Sequence, residues 1–164
     1  SDFIASQYII TKALRLGAGD EEKEFDKIFE TNVKNTFFTI IDFLELLKKG
    51  KNSTIVILSS YAGYTPFPNM GLYSISKSAL FTMTKVLAQE LSEFNIRVNC
   101  VAAGFTKQRL SVPIIHNIYV EGNFMKRNSL PHEIAGIAEF LASDYSSYIN
   151  GEVVSVNGGM RGRL

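Results

Sequence analysis

The chain has 164 residues, with 17 basic and 16 acidic side chains and a net charge of +1, which bounds it to one domain and excludes a strongly charged face for nucleic acid or anionic lipid. Hydrophobic residues make up 46% and charged residues 20%, the balance of a packed core rather than of a disordered tail. No apolar run approaches the ~18 residues of a membrane span, no basic-then-apolar leader opens the chain, and the single cysteine, Cys100, rules out an internal disulfide or a cysteine-based zinc site.

Residues 1–20 carry no clear period. Phe3-Ile4-Ala5 and Tyr8-Ile9-Ile10 fit a short strand or a short helix. Gly17-Ala18-Gly19 is a break; it lacks the spacing of a phosphate-binding turn, and the Asp20-Glu21-Glu22 that follows would repel phosphate. From Asp20 the pattern predicts one long helix, with acids at its positive end, Lys48 and Lys49 at its negative end, and Gly50 as the stop. Phe25, Ile28, Phe29, Thr36, Phe37, Ile40, Leu44 and Leu47 form its apolar stripe. Asn32 falls on that stripe, where a polar amide must find partners. It reads either as an asparagine satisfied within the fold at a kink or as a functional group.

Ser53 to Ser60 contains Ile55-Val56-Ile57-Leu58, a short β-branched run that predicts a buried strand. A loop with Gly63, Pro66, Pro68 and Gly71 follows, then a helix over 72–94 with apolar positions at threes and fours. Ser59 and Ser60 thus leave the carboxyl end of a strand, the edge of an open α/β sheet where ligands bind. Tyr73 and Lys77, four apart, share one face at the start of the next helix. An ammonium beside a phenol favours the phenolate, so Tyr73 fits a proton donor and acceptor, and Ser60 could hold a substrate oxygen. A bare Tyr-x-x-x-Lys is commonly a solvated helix face; the strand, serine and loop before it favour the chemical reading.

The stretch Ser59 to Lys77 resembles the active-site segment of the short-chain dehydrogenase/reductase family, which uses a serine, a Tyr-x-x-x-Lys thirteen residues on, and an upstream asparagine. Ser60, Tyr73, Lys77 and Asn32 match these positions. The resemblance implies a doubly wound, Rossmann-like parallel α/β sheet. It covers residues 24–160, the second half of that fold, with the Gly-rich cofactor half absent. Residues 1–23 then read as divergent or frayed and 161–164 as a tail, within one partial domain. With no initiating methionine, a fragment of a longer chain is expected, or a shortened paralogue.

Ile96 to Ala103 predicts a further strand entered through a turn at Asn95, with Cys100 a buried thiol. After it the family usually has Pro-Gly and a threonine four after the glycine, contacting the nicotinamide. Here Ala103 replaces the proline and Gln108 the threonine, while Gly104 keeps the glycine and Thr106 offers a hydroxyl. Residues 107–130 are irregular; the resemblance makes them a substrate cover, with Pro113, Ile114, Ile115, Tyr119, Phe124 and Met125 lining a pocket or simply packing. His116 has no catalytic reading. Pro131 opens a last helix, a loop of turn formers runs over 143–151, and Glu152 to Val156 predicts the closing strand, turning away at Asn157-Gly158-Gly159. The segment Ser146 to Gly159 resembles the family's final strand.

By resemblance the function is reduction of a ketone or aldehyde, retinal-like compounds among them, or oxidation of the matching alcohol. The cofactor is NADP(H) or NAD(H), with NADPH favoured. Asn32, Ser60, Tyr73 and Lys77 are the catalytic set; Tyr73, Lys77, Gly104 and Thr106 are the cofactor contacts; no metal is involved. The intact protein is expected to be a homodimer or homotetramer. The final Gly162-Arg163-Leu164 is similar to a peroxisomal address at two of three positions or is a frayed basic end, so peroxisome and cytoplasm both stand. The alternative is a non-catalytic truncated subunit that dimerises through its long helices.

Overall fold

A computed structural model describes residues 21–67, 70–107 and 122–160. The expectations for residues 1–20, Pro68, Gln108, the stretch Pro113 to Tyr119 and the terminal Gly-Arg-Leu lie outside these. Three parallel strands run side by side in the order β1 (Thr54–Ser60), β2 (Arg97–Ala103) and β3 (Val153–Val156). β1 and β2 are in register from Thr54 opposite Arg97 to Ser60 opposite Ala103, and β2 meets β3 from Cys100 opposite Val153. Among the described residues four α-helices accompany them: α1 (Glu21–Phe29), α2 (Asn35–Lys49), α3 (Gly71–Leu91) and α4 (Pro131–Ala142).

Strand residues alternate between two apolar layers, as a sheet covered on both faces requires. Ile57, Val98, Cys100, Ala102 and Val153 pack with Ile40 of α2 and with Leu80, Leu87, Ala88 and Leu91 of α3. On the other face Val56, Val101, Ala103, Val154 and Val156 meet Ile134, Ile137, Ala138 and Leu141 of α4. Leu58 also faces that second layer's side of β1 by alternation, yet is 59% exposed. Among the described residues no helix is long and apolar enough to cross a membrane.

The single long helix expected from Asp20 to Lys49 is instead two helices joined by a π-helical turn, Glu30–Lys34, in which the Asn35 N–H reaches back to the Glu30 carbonyl. The sequence gives the physical reason. Ile28 and Ile40 are both buried, but in an unbroken α-helix they would stand about 120° apart. A π turn takes up one residue more, which brings them within about 20° of each other. Phe25 and Phe37, expected on the buried stripe, are 43% and 37% exposed. Gly50 does end the helix, but with extended rather than left-handed backbone, and Ser53 Oγ donates to the Leu47 carbonyl at 2.6 Å to cap it.

The second half of the chain follows expectation closely. Asn95 takes the left-handed conformation (φ 57°) that turns the chain into β2. Arg97, at the start of β2, donates to Ser146 Oγ and to the carbonyls of Leu141, Ser143 and Ile149, at 3.1–3.2 Å. Asn99, fully buried, donates to the Ile149 carbonyl and accepts from Glu152 N–H. Together they fasten the 143–151 loop and so set where β3 begins.

Candidate active site

The carboxyl end of β1 runs directly into a short 3₁₀ turn, Tyr61–Gly63. Ser60 is the last extended residue (φ −138°, ψ 150°), and its Oγ accepts the Ala62 N–H at 3.2 Å. α3 then begins at Gly71, and Tyr73 stands in its first turn. The side chains of Ser60 and Tyr73 are hydrogen-bonded to each other. The ammonium of Lys77, one turn on, lies 5.6 Å from the centre of the Tyr73 ring. Three of the four expected residues therefore meet at one edge of the sheet.

Burial dominates their electrostatics. Desolvation pushes the Tyr73 phenol above its ordinary value, and the hydrogen bond from Ser60 works in the other direction. Desolvation also pushes Lys77 below the usual lysine range, opposed by a smaller coulombic coupling to Cys100. Sequence reasoning has Lys77 lowering the phenol; here the ammonium lies over the ring face and is itself driven toward neutrality, and burial sets the direction of the Tyr73 shift. Cys100 is a buried thiol pushed up to about 11, chiefly by desolvation, which makes it inert.

Asn32 stands in the π turn, and its Nδ2 donates to Ser76 Oγ at 3.0 Å. Its carbonyl accepts from Thr36 Oγ1 at 2.8 Å. The fourth expected residue thus meets the helix that carries Tyr73 and Lys77, through a serine between them.

Gly104 and Thr106 follow β2 at the same edge of the sheet. Gly104 N–H donates to the Val156 carbonyl at 2.8 Å, and a Cβ there would come within 2.8 Å of Asn157 Cα. Close approach of two backbones is therefore reason enough for a glycine. The Thr106 hydroxyl donates to the Gly104 carbonyl at 3.3 Å and accepts from Ser129 Oγ at 2.9 Å, pairing this loop with the segment before α4. Phe105 sits edge-on to Phe67, with ring centres 5.3 Å apart, which joins the loops after β1 and β2. Phe124 and Met125, considered as pocket residues, are 78% and 58% exposed.

Sequence reasoning missed the fastenings around the cluster. Ser59 Oγ donates to the Lys77 carbonyl at 2.9 Å, and Ser78 Oγ donates to the Gly63 carbonyl. Each of the two segments thus holds the other, with Ser60 between the two bonds on one side and Tyr73 one turn before them on the other. The signal was present in Tyr73-Ser-Ile-Ser-Lys-Ser78: serine is a poor choice inside a helix, and three of these six positions ask for partners. Ser76 and Ser78 have them; the buried Ser74 Oγ has none among the described residues.

A parallel sheet with helices on both faces, and a serine, tyrosine and lysine gathered at the carboxyl end of β1, the edge where ligands bind in such sheets, define a Rossmann-like scaffold. The family model described as enoyl-(acyl carrier protein) reductase matches residues 10–161. The chain belongs to the short-chain dehydrogenase/reductase family. It is 44% identical over 149 residues to dehydrogenase/reductase SDR family member 4 of Bos taurus, covering 87% of this chain and 53% of that protein. It is 40% identical over 149 residues to tropinone reductase-like 3 of Erythroxylum coca, covering 88% and 57%. A putative short-chain alcohol dehydrogenase from Sinorhizobium meliloti superposes with a TM-score of 0.84 at 29% identity, over 92% of this chain and 62% of that one. A 3-oxoacyl-[acyl-carrier protein] reductase from Brucella melitensis, solved with bound NAD, superposes with a TM-score of 0.79 at 34% identity, over 85% and 52%. The chain spans about half the length of the curated relatives it matches.

Proposed function

We propose that the intact protein is an NAD(P)-dependent oxidoreductase that reduces a ketone or aldehyde, or oxidises the matching alcohol. The observation that carries this is the contact of Ser60 with Tyr73 beside Lys77, in a chain of this family. A nicotinamide, when bound, supplies the hydride. Ser60 donates a hydrogen bond to the carbonyl oxygen and orients it. Tyr73 gives that oxygen its proton; a phenol held above its ordinary pKa is protonated at neutral pH and ready to do so. Lys77, buried near the ring, steadies the phenolate left behind and holds the ribose side of the cofactor. Asn32 connects this group to the π turn as the start of a proton path. The fit of these residues is to the nicotinamide end of the cofactor. Gly104 lies at the same edge, but the side where a Cβ would stand is taken by Asn157, and Thr106 would have to give up its bond to Ser129 to take part. NADPH, a retinal-like carbonyl and a peroxisomal or cytoplasmic setting are the finer terms of this reading.

A second reading, a dimerising subunit without activity of its own, is favoured by one observation. Phe37, Phe38, Ile41, Phe43 and Leu46 of α2 are all exposed, beside an open groove of about 650 Å³ lined by Phe29, Val33, Phe37, Phe38 and Met83. Fluorescence titration of the chain with NADPH and NADH, followed by turnover of small carbonyls by the full-length protein, separates the two. Saturable binding, with turnover lost and binding kept in Tyr73→Phe, is the expected result for the enzyme. Turnover unchanged in Tyr73→Phe overturns it, and no binding by either protein leaves the subunit reading.

A further inference from the structure

We propose that Ser76 is a positioning residue for the Tyr73 and Lys77 pair, tying the π turn at Asn32 to the first turn of α3. The proposal rests on the reading of Tyr73 as the proton donor. Ser76 is fully buried, and its hydroxyl has a neighbour on each side. Asn32 Nδ2 donates to Ser76 Oγ at 3.0 Å, and Ser76 Oγ donates to the Tyr73 carbonyl at 2.7 Å. The direction of this relay is fixed at both ends, because an amide nitrogen only donates and a carbonyl only accepts. Ser76 has one proton, and the geometry commits it to Tyr73.

The link matters because of where α3 begins. Its first turn is capped by Met70, which offers no side-chain hydrogen bond to the free N–H groups. An uncapped first turn frays, and Tyr73 stands in it. Ser59 and Ser78 fasten α3 to β1 and the 3₁₀ turn, but at Lys77 and Ser78, one turn further in. The bond from Ser76 is the side-chain hydrogen bond that reaches the Tyr73 main chain. Its other end is held by a residue 44 positions away, in a turn whose extra residue rephases the whole of α2. The same π turn that aligns Ile28 with Ile40 therefore also presents the Asn32 amide to α3.

The test uses the chain labelled with ¹³Cζ-tyrosine, with the Tyr73 signal identified by its loss in Tyr73→Phe. Ser76→Ala removes the relay. Asn32→Asp keeps the shape, but its carboxylate accepts where the amide donated, so it competes with the Tyr73 carbonyl for the one proton of Ser76. In both variants the Tyr73 titration is expected to fall toward the ordinary phenol value, and the amides of residues 74–77 to exchange roughly five- to tenfold faster. The double variant should be no worse than either single one. An unmoved Tyr73 titration, whether or not global stability falls, overturns the proposal, because a merely structural serine would behave that way. If Ser76→Ala does not fold, Asn32→Asp decides alone. Neither readout needs turnover, so failure here is distinct from failure of the oxidoreductase reading, which the activity of Tyr73→Phe judges.

Discussion

Gly63 closes the turn that carries Ser60, and replacing it with alanine should disturb the site without touching any functional group. Its φ lies outside the left-handed region, so alanine meets no backbone strain there. On that account alone Gly63→Ala would stabilise the protein by about 0.4–1 kcal/mol, by restricting the unfolded chain. The space argues otherwise. A Cβ at 63 would stand 2.8 and 2.9 Å from the Phe81 ring and 3.0 Å from the Lys77 carbonyl carbon. These are about 0.4–0.6 Å short of the 3.4 Å at which ordinary contact begins. The ring can tilt only by leaving Tyr64, whose ring centre is 4.3 Å away, and the Lys77 backbone is held by Ser59. Overpacking of this kind costs about 1–3 kcal/mol, so the clash wins. The expected net loss is roughly 1–2 kcal/mol, read as a fall in melting temperature of about 2–8 °C. Because Lys77 must give way, the Tyr73 signal should shift as well. A Gly63→Ala protein as stable as the parent, with Tyr73 unmoved, would refute the reasoning and show that Phe81 absorbs the methyl.

Two further predictions concern the opposite side of the sheet. Arg97→Ala removes four hydrogen bonds from one guanidinium, but the Leu141, Ser143 and Ile149 carbonyls keep second partners. Urea unfolding should therefore show a loss of about 2–4 kcal/mol rather than the full value of four charged bonds. Arg97→Lys should recover less than half of it, since an ammonium cannot span the fork, and a loss under about 0.5 kcal/mol in Arg97→Ala would count against this account. Glu133 is held down to about 2 by its hydrogen bonds with Arg127 and then with the Leu130 N–H. A depressed carboxyl stabilises the fold fully above its unfolded value of ~4.3 and loses that effect as pH falls through the folded value. Parent and Glu133→Gln should thus differ in stability at pH 5 and converge near pH 2; a gap that persists at pH 2 would contradict it.

The parts of this protein that could be read in its sequence are those whose cause is local. β1, β2, α4 and β3 fall within a residue or two of expectation, and α3 ends at Leu91, where a 3₁₀ turn covers the expected last three residues, since short β-branched runs and three-to-four spacing carry their own signal. Ser60, Tyr73 and Lys77 were legible because one strand, one turn and one helix position all three. The π turn was not, because its cause is tertiary: only the need to bury both Ile28 and Ile40 shows that a residue must be taken up between them. The Asn32 stripe read as continuous for the same reason. The partners of Ser59, Ser76 and Ser78 were likewise invisible, since each bond joins or steadies elements whose approach is set by packing. Gly104 was legible as a glycine that something approaches, but the approaching group in the structure is Asn157, just past β3 and more than fifty residues on.

The all-parallel sheet has a consequence for how the chain reaches this structure. No strand can pair with its neighbour through a hairpin. Thr54 waits for Arg97, 43 residues later, and Cys100 for Val153, 53 residues later. Every ladder must close a long loop before it gains a single hydrogen bond, and that entropy is lost in advance. Helices α2 and α3 can form on their own within about a microsecond, but the sheet that orders them is a late, cooperative event. During that interval the apolar edge of β1, with Leu58 uncovered, is open to any other extended segment. Slow strand docking therefore bears, alongside final stability, on how readily this chain folds rather than aggregates.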